Sequence, residues 1–291
     1  FTYFLGLQSV MQQLSASYQL AGDHYKVNYW RSGNMGASHI LLCVHGLLGR
    51  SRDFDDLVLA LGNNYLTIAI DLPGRGSSDW LASSDLYTPH NYLPAIHAVL
   101  EAYPFKPIHW IGTSLGGILG MAYAHEENHR LERLVLNDVG SFIPGSAIAR
   151  IADYIVDPLF GSMDDVIRFF QKTYPSFRDI STEQWQRVAT FGSRHTDEGI
   201  RLHYDPAIAV NTRLNQGNDV DLEPLWCSIE VPQLLIHGTA SDLLTQSTVD
   251  YMCHHQPSMK LFQVEGVGHA PPLMTHNEIV EIRNWLLKEA M

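Results

Sequence analysis

The chain has 291 residues, of which 45% are hydrophobic and 17% are charged, a composition that suits a folded protein with a large core. The formal net charge is −12 at pH 7, which argues against nucleic acid or an anionic membrane as the main partner. No apolar run approaches the roughly 18 residues of a membrane span, and three cysteines do not suggest a disulfide framework.

The first residues of the chain, 1–7, are apolar but lack a basic start and a small-residue cleavage site. They therefore do not fit the pattern of a signal peptide. Together with the missing membrane span, this predicts a cytoplasmic protein. The oligomeric state is left open by the sequence.

Apolar runs bounded by turn residues alternate with helical patterns along most of the chain. Alternation of this kind predicts βαβ units and a mainly parallel sheet with helices on its faces. The predicted strands cover residues 25–31, 39–44, 65–70, 108–112, 131–136, 234–238 and 260–264. The predicted helices of this part cover residues 53–61, 87–103 and 278–289.

One long segment, residues 140–224, interrupts this alternation. It contains no convincing buried strand, and helical patterns lie at residues 146–156, 163–174 and 182–194. A helical insertion between two strands of such a sheet is typical of a lid over a site. The predicted organisation is therefore a core of residues 1–139 and 225–291 with a helical lid at 140–224. Most aromatic side chains of the lid are expected to pack against the core, and the rest to line a pocket.

A serine lies at the centre of the most informative pattern, Gly112-Thr113-Ser114-Leu115-Gly116-Gly117. A predicted strand precedes it and a predicted helix follows it. A serine on such a strained turn exposes its hydroxyl, and glycines beside it let strand and helix approach closely. The free N–H groups at the start of the helix would stabilise a negative charge near the hydroxyl. Ser114 is therefore the candidate nucleophile.

A serine nucleophile needs a base, and histidine suits this role because a free imidazole titrates near neutral pH. The chain has 15 histidines, so position must select among them. His269 lies in a Gly- and Pro-rich loop between the last predicted strand and the last predicted helix, and it is the predicted base. His45 and His237 also end strands, but each is followed by glycine and is interpreted as a turn or structural residue.

Two aspartates end predicted strands and compete for the role of the acid that orients the base. Asp242 follows the penultimate strand and precedes His269 by 27 residues, which leaves room for one helix and one strand. Asp242 is the preferred assignment. Asp138 is the alternative, with a role in satisfying backbone donors of its own turn as its other interpretation.

With these residues in place, the chain resembles the α/β-hydrolase fold superfamily, and serine esterases and lipases in particular. The order Ser, Asp, His along the chain is that of the superfamily. The resemblance implies a mainly parallel eight-stranded sheet flanked by helices, with the helical lid inserted between strands 6 and 7. The segments that carry it are 45–49, 71–77, 112–117, 136–138, 238–242 and 268–269.

The resemblance also implies a mechanism of acyl transfer. Ser114 attacks a carboxylic ester or thioester, His269 transfers the proton, Asp242 holds the imidazole, and water resolves the acyl-enzyme. The backbone N–H groups of Leu47 and Leu115 would form the oxyanion hole. The implied substrate is a small ester with an apolar acyl group, and no metal or organic cofactor is implied.

Other activities of the same fold can be compared with this sequence to narrow the range of possible reactions. Epoxide hydrolases and haloalkane dehalogenases resemble the fold but need aspartate where Ser114 stands. Carbon–carbon bond hydrolases share the Ser, Asp and His set, but they usually follow the histidine with an aromatic residue, where this chain has Ala270. Cofactor-free perhydrolases and ligand-binding receptors of the same fold remain alternatives.

A second pattern, the His-Glu-x-x-His run of residues 125–129, resembles a zinc metalloprotease motif. That motif must lie within a helix so that both imidazoles share a face. Here it falls where the helix after Ser114 is expected to end, and no third ligand is apparent downstream. It is interpreted as a polar helix end.

Overall fold

The computed structural model describes residues 11–175, 177 and 179–288. The apolar residues 1–7, on which the signal-peptide expectation rests, lie outside the described residues, as does the end of the helix predicted to reach residue 289. Within the described part of the chain, none of the helices combines the length and the apolar character that a membrane crossing requires.

The described residues of the first part of the core form six strands and three helices. The strands are β1 (Gln12–Leu20), β2 (Asp23–Gly33), β3 (Ile40–Val44), β4 (Leu66–Asp71), β5 (Ile108–Thr113) and β6 (Leu131–Asn137). The helices are α1 (Asp55–Leu61), preceded by a 3-10 turn at Ser51–Phe54, α2 (Pro89–Leu100) and α3 (Leu115–Ala124). The sequence predicted each of these elements to within a few residues except β1.

An insertion follows β6, and the part of it that the structure describes forms five helices and four short strands. Its helices are α4 (Gly145–Tyr154), α5 (Met163–Thr173), α6 (Thr182–Phe191), α7 (Ile208–Leu214) and α8 (Glu223–Cys227). Its strands, β7 (Phe142–Ile143), β8 (Ser193–Thr196), β9 (Gly199–Leu202) and β10 (Val220–Asp221), form two separate antiparallel pairs. The helical patterns predicted at 146–156, 163–174 and 182–194 correspond to α4, α5 and α6.

The core then resumes with β11 (Gln233–Gly238), α9 (Gln246–His255), β12 (Lys260–Val264) and α10 (His276–Leu287). The eight core strands form one sheet in the order β1-β2-β4-β3-β5-β6-β11-β12. All neighbouring pairs from β4 to β12 are parallel, whereas β2 is antiparallel to both β1 and β4. The predicted mainly parallel eight-stranded sheet is confirmed, and the insertion lies between its sixth and seventh strands along the chain.

The central strands are largely apolar because helices cover both faces of the sheet. Every residue of β3 and β4 is buried. On one face, Leu57 of α1 and Ile282 of α10 join a buried cluster, and on the other face Ile96 of α2 and Leu119 of α3 join a larger one. This arrangement brings the carboxyl ends of the parallel strands to one edge of the sheet, where the loops carry polar side chains.

Strand β1 was not predicted because it lacks a buried-strand pattern. Its sequence is largely polar, and most of its side chains are exposed or half-buried. Among the described strands it pairs only with β2, so the strand predicted over residues 25–31 lies inside the sheet and β1 forms the edge.

Candidate active site

Ser114 lies on the sharp turn between β5 and α3. Its backbone φ is 49°, in the left-handed region that side chains other than glycine rarely adopt. A Cβ atom on Gly112 would stand 2.3 Å from the backbone of Gly116, and one on Gly116 would stand 2.0 Å from the carbonyl oxygen of Val44. Only residues without side chains therefore allow α3 to approach the strands this closely, as the sequence pattern predicted.

A continuous chain of hydrogen bonds joins three side chains at this edge of the sheet. The hydroxyl oxygen of Ser114 lies 3.0 Å from Nε2 of His269. Nδ1 of the same imidazole lies 2.7 Å from a carboxylate oxygen of Asp138, which is fully buried. An imidazole held in this way can accept the hydroxyl proton while the carboxylate stabilises the cation that forms.

The prediction that Asp242 holds the imidazole is wrong, because the carboxylate beside His269 is that of Asp138. Both carboxylate oxygens of Asp242 accept hydrogen bonds from the guanidinium of Arg150, which lies on α4. The Asp242 side chain is 49% exposed. The ends of β6 and β11 are neighbours in the sheet, so both aspartates reach the same rim, but only Asp138 turns toward His269.

Backbone geometry and two donors from the neighbouring loop fix Asp138. Its φ is 55°, which directs the chain away from the strand at this residue. The carboxylate accepts the N–H of Gly238 at 2.8 Å and the hydroxyl of Ser241 at 2.5 Å. Asp138 therefore accepts hydrogen bonds from the loop after β11. The other interpretation of this residue, that it satisfies donors of its own turn, does not describe these contacts.

Asn137 fixes the distance between the serine turn and the histidine loop. Its side-chain amide donates to the hydroxyl of Thr113 at 3.0 Å and to the carbonyl of Pro271 at 2.9 Å. One buried side chain thus connects the residue before Ser114 with the loop that carries His269. The sequence indicated Asn137 only as part of the segment 136–138 and predicted no role for its side chain.

The two residues expected to donate N–H groups to the oxyanion, Leu47 and Leu115, lie near Ser114. Helix α3 begins at Leu115, so the N–H of this residue lies among those that a helix leaves unpaired at its start. Leu47 lines the same cavity as Ser114. The guanidinium of Arg75 donates to the carbonyl of Leu47 at 2.8 Å, which fixes the loop backbone.

Arg75 itself is fully buried. Its guanidinium also donates to the carbonyl of Pro73 at 2.7 Å and to the hydroxyl of Tyr92 at 2.8 Å, and it lies over the rings of Tyr87 and Tyr92. Neutral oxygens and aromatic faces therefore surround this cation. The turn-rich loop 71–77 was noted in the sequence, but the contact of Arg75 with the loop after β3 became apparent only in the fold.

Two buried, neutral histidines support the loops around the cavity. Burial lowers the pKa of His45 to about 3, and its Nε2 accepts the N–H of Leu72 at 2.9 Å. Burial likewise lowers the pKa of His203 to about 3. His203 accepts the N–H of Gly76 and lies 3.1 Å from the carbonyl of Leu48. The structural role predicted for His45 is confirmed, while His203 of the insertion joins two core loops.

The cavity above Ser114 has a volume of about 160 Å³. Its walls are largely apolar, and the insertion contributes an aromatic group whose rings contact one another in sequence. Three charged residues, Arg50, Asp53 and Arg150, also reach the cavity. The aromatic group consists of Phe170, Tyr174 and Phe177.

Asp53 lies beside the loop that carries Leu47 and Gly49. One of its carboxylate oxygens accepts the N–H of Arg50 at 2.9 Å. Burial raises its pKa to about 7, because the charged carboxylate is disfavoured there. Asp53 therefore adds less negative charge to the cavity wall than its residue type suggests.

The His-Glu-x-x-His run does not lie on a helix. Helix α3 ends at Ala124, and the chain turns through His125 to His129. His125 lies 3.1 Å from the hydroxyl of Ser228, and His129 accepts the N–H of Leu131. Among the described residues, neither histidine belongs to a group that could hold a metal ion, so the predicted helix end describes this run correctly.

Known proteins resemble this chain over almost its full length. Residues 39–273 match the model of the alpha/beta hydrolase fold family. The 3-hydroxybutyrate-oligomer hydrolase of Cupriavidus necator is 32% identical, with 89% of this chain and 92% of that protein covered. The pimeloyl-[acyl-carrier protein] methyl ester esterase of Klebsiella pneumoniae is 23% identical, over 84% of this chain and 91% of that protein.

A solved structure agrees with these relationships. The crystal structure of a putative hydrolase from Rickettsia typhi superposes with a TM-score of 0.88 at 29% identity, covering 96% of this chain and 99% of that one. Sequence and fold thus point to the same family. The chain belongs to the alpha/beta hydrolase fold family.

Proposed function

We propose that this protein is a serine hydrolase that cleaves carboxylic esters through an acyl-enzyme on Ser114. The observation that carries the proposal is the hydrogen-bonded chain from Ser114 through His269 to the buried Asp138. A hydroxyl is a weak nucleophile near neutral pH, and a base with an orienting carboxylate is the arrangement that activates it.

In the proposed reaction, His269 accepts the proton of Ser114 as the hydroxyl oxygen attacks the ester carbonyl. The N–H groups of Leu47 and Leu115 stabilise the oxyanion that forms. The protonated imidazole then donates to the leaving alcohol. In the second half of the reaction, His269 activates water, which releases the acid and restores Ser114.

The cavity favours a short acyl group. An apolar cavity of about 150 Å³ holds a ligand of about six heavy atoms, such as benzene, and the cavity above Ser114 is of this size. A 3-hydroxybutyryl unit is about this large. The relationship to the 3-hydroxybutyrate-oligomer hydrolase supports oligoesters of short hydroxy acids as the substrate class.

Arg150 suits the free carboxylate at one end of such an oligomer. It lines the cavity and is 31% exposed at the side chain, so a carboxylate arriving from solvent can reach it. Its present partner, Asp242, is exposed and can yield the guanidinium to a substrate at little cost, since exposed ion pairs contribute little.

The insertion is proposed to act as a lid, with α4 and α5 nearest the entrance. Ile151 and Tyr154 of α4 and Phe170 of α5 line the cavity together with Ser114. Covering the site in this way would exclude water from the acyl-enzyme until the alcohol has left. The boundaries 140 and 224 remain those predicted from the sequence.

The central test replaces the nucleophile. Ser114→Ala is expected to lower kcat on 4-nitrophenyl butyrate by roughly 10⁴ or more and to abolish labelling by a fluorophosphonate probe. Ser247→Ala, at an exposed serine of α9, is the control and should leave both unchanged. Activity or labelling retained in Ser114→Ala with an unchanged unfolding curve would contradict the mechanism.

A second experiment tests the substrate class. Hydrolysis of 3-hydroxybutyrate dimer and trimer would be compared with that of their methyl esters in wild type and Arg150→Met. We expect the variant to raise KM for the free acids and to change KM for the methyl esters little. An equal change for both would exclude carboxylate recognition by Arg150, whereas ester hydrolysis itself is tested by Ser114→Ala.

A further inference from the structure

A group of metal-ligating side chains lies at the edge of the sheet opposite the active site. His39 precedes β3, His109 is the second residue of β5, and Glu132 is the second residue of β6. One potential ligand atom from each lies within 4.8 Å of the others. Three neighbouring strands thus bring two imidazoles and a carboxylate together at their amino-terminal ends.

An irregularity in strand pairing places Glu132 in this group. Ile108 pairs with Leu131, but the next residue of β5, His109, pairs with Arg133. Glu132 is therefore the additional residue of a β-bulge, a feature that redirects a side chain and often accompanies functional sites. Without the bulge, Glu132 would pair with His109. The alternation of side chains along a strand would then decide to which face of the sheet Glu132 points.

The hydrogen bonds around His109 determine which of its nitrogens is free to bind a metal. The hydroxyl of Tyr65 lies 3.0 Å from the carbonyl of Leu286 and 2.8 Å from Nδ1 of His109. Because a carbonyl can only accept, the Tyr65 proton points to Leu286, and Nδ1–H of His109 donates to the Tyr65 oxygen. The lone pair of His109 therefore lies on Nε2.

This arrangement is the one that metal-binding histidines use. Such a histidine donates its second N–H to a neighbouring oxygen, which fixes the tautomer and the orientation of the ring. His109 is buried, and its hydrogen bond with Tyr65 fixes the orientation of the ring. His109 is thus prepared as a ligand by its surroundings.

His39 provides the second imidazole, and its ring centre lies 4.6 Å from that of His109. Its Nδ1 lies 2.7 Å from the hydroxyl of Ser38, and its Nε2 lies 2.9 Å from the carboxylate of Glu132. If Nδ1 carries the proton and donates it to Ser38, Nε2 becomes available beside the carboxylate. The side chains of His39 and Glu132 are both partly exposed, so each can change its conformation to bind an ion.

We propose that His39, His109 and Glu132 bind a divalent transition-metal ion, with Zn²⁺ as the preferred ion. Two imidazoles and one carboxylate are an established zinc ligand set, and water can occupy a fourth position. Tetrahedral ligands at about 2.0–2.1 Å from zinc stand about 3.4 Å apart. The most distant pair must therefore close by about 1.4 Å, a distance within the reach of the two surface side chains.

The ion would have a structural role. Ser114 lies five positions after His109 along β5 and the turn that follows it, which corresponds to about 16 Å at about 3.3 Å per residue. A metal at this place would hold the amino-terminal ends of β3, β5 and β6 together and would leave ester hydrolysis unaffected. The one neighbouring cation on β6, Arg133, is directed to the carbonyls of Trp285 and Lys288.

The simplest competing explanation is an ordinary surface pair of histidine and glutamate. The chain offers a matched example, because Nε2 of His97 also lies 2.9 Å from a carboxylate oxygen, that of Glu126. Among the described residues, this second pair belongs to no group of three potential ligands. It therefore serves as the control for binding by two residues alone.

The experiment titrates ZnCl₂ into the full chain after chelator treatment and removal of any affinity tag, with isothermal calorimetry as the readout. Wild type is expected to bind about one ion. His39→Ala and Glu132→Gln should each raise Kd by about tenfold or more, while His97→Ala should change it less than about twofold. Turnover of 4-nitrophenyl butyrate should remain the same in all variants.

A second readout identifies the ligands. Co²⁺ in place of Zn²⁺ should give the intense visible absorption of a four-coordinate site in wild type and His97→Ala, and lose it in His39→Ala. The proposal is overturned if wild type shows no saturable binding. It is equally overturned if His97→Ala weakens binding as much as His39→Ala does.

Discussion

At the scale of single residues, two aspartates at neighbouring strand ends have separate surroundings. Asp138 is fully buried and receives hydrogen bonds from Gly238, Ser241 and the imidazole of His269. Asp242 is half exposed and pairs with Arg150. Since a buried carboxylate with several donors is held in one orientation, Asp138 is suited to orient the base of the proposed mechanism.

The first prediction compares these two residues. Asp138→Asn is expected to lower kcat/KM on 4-nitrophenyl butyrate by roughly 10³–10⁴, because the amide favours the wrong tautomer of His269. Asp242→Asn should keep activity within about tenfold of wild type. Steady-state kinetics decide the assignment, and the reverse result would restore Asp242 as the acid.

The second prediction concerns Arg75, which holds the carbonyl of Leu47 and does not touch the substrate. Arg75→Lys would lose most of the contacts that the guanidinium makes, and the Leu47 N–H would lose its fixed position. Because misplaced oxyanion donors act on the transition state, we expect kcat to fall roughly tenfold to hundredfold while KM changes little. Tyr92→Phe removes one partner of Arg75 and keeps the guanidinium, so it should have a smaller effect. Equal losses in kcat for the two variants would contradict a positioning role.

At the scale of secondary structure elements, the insertion is attached unevenly to the core. Helix α6 is held by the buried guanidinium of Arg187, which pairs with Asp55 and Asp56 of α1. His203 fixes the segment after β9 to two core loops. Helix α4, in contrast, is tied to the loop after β11 by the exposed pair of Arg150 and Asp242. Of these two helices, α4 therefore has the weaker polar attachment to the core.

The third prediction tests this difference with two arginine substitutions. The side chains of Arg187 and Asp56 are at most 8% exposed. Arg187→Met leaves the buried Asp56 carboxylate without a cation, whereas Asp55 keeps its pair with Arg52, and the variant should lower the free energy of unfolding by about 3 kcal/mol or more. Arg150→Met breaks an exposed pair and should cost less than about 1 kcal/mol. Urea denaturation measures both. Similar losses for both variants would mean that the two attachments do not differ in strength.

At the scale of the whole molecule, buried titratable groups couple folding to pH. The pKa of His45 and that of His203 are both lowered to about 3 by burial, whereas an unfolded chain protonates histidine near pH 6.5. Between these values the unfolded state binds more protons, so stability falls as the pH decreases from about 6.5. Asp53 acts in the opposite direction, because burial raises its pKa to about 7 and the folded state holds its proton more tightly.

The fourth prediction isolates the contribution of Asp53. Asp53→Asn keeps an oxygen that can accept the Arg50 N–H but removes the group whose proton stabilises the folded state at low pH. The variant should therefore lose stability more steeply than wild type between pH 7 and pH 4, and their curves should run parallel above about pH 7.5. Urea denaturation at several pH values provides the comparison. Parallel curves over the whole range would show that Asp53 does not titrate as its burial requires.

The sequence by itself determined the order of the core elements and two of the three side chains in the hydrogen-bonded chain. Apolar runs at β3, β4, β5 and β11 indicated strands covered on both faces, and the glycines around Ser114 indicated a close approach of strand and helix. His269 was predicted as the base because it lies in the loop that follows the last strand. These are local properties, which the chain carries in its spacing of apolar, glycine and proline residues.

Only the tertiary structure decided which carboxylate meets His269, how the cavity is lined and where β1 lies. Arg150 lies 92 residues before Asp242. No local sequence pattern predicts that Arg150 holds the Asp242 side chain away from His269. The contacts of Arg75 with Leu47 and of Tyr65 with His109 likewise join segments far apart in the chain. Side-chain direction at a strand end depends on such distant partners, and the physical reason is that each loop there is free to turn until a packed neighbour fixes it.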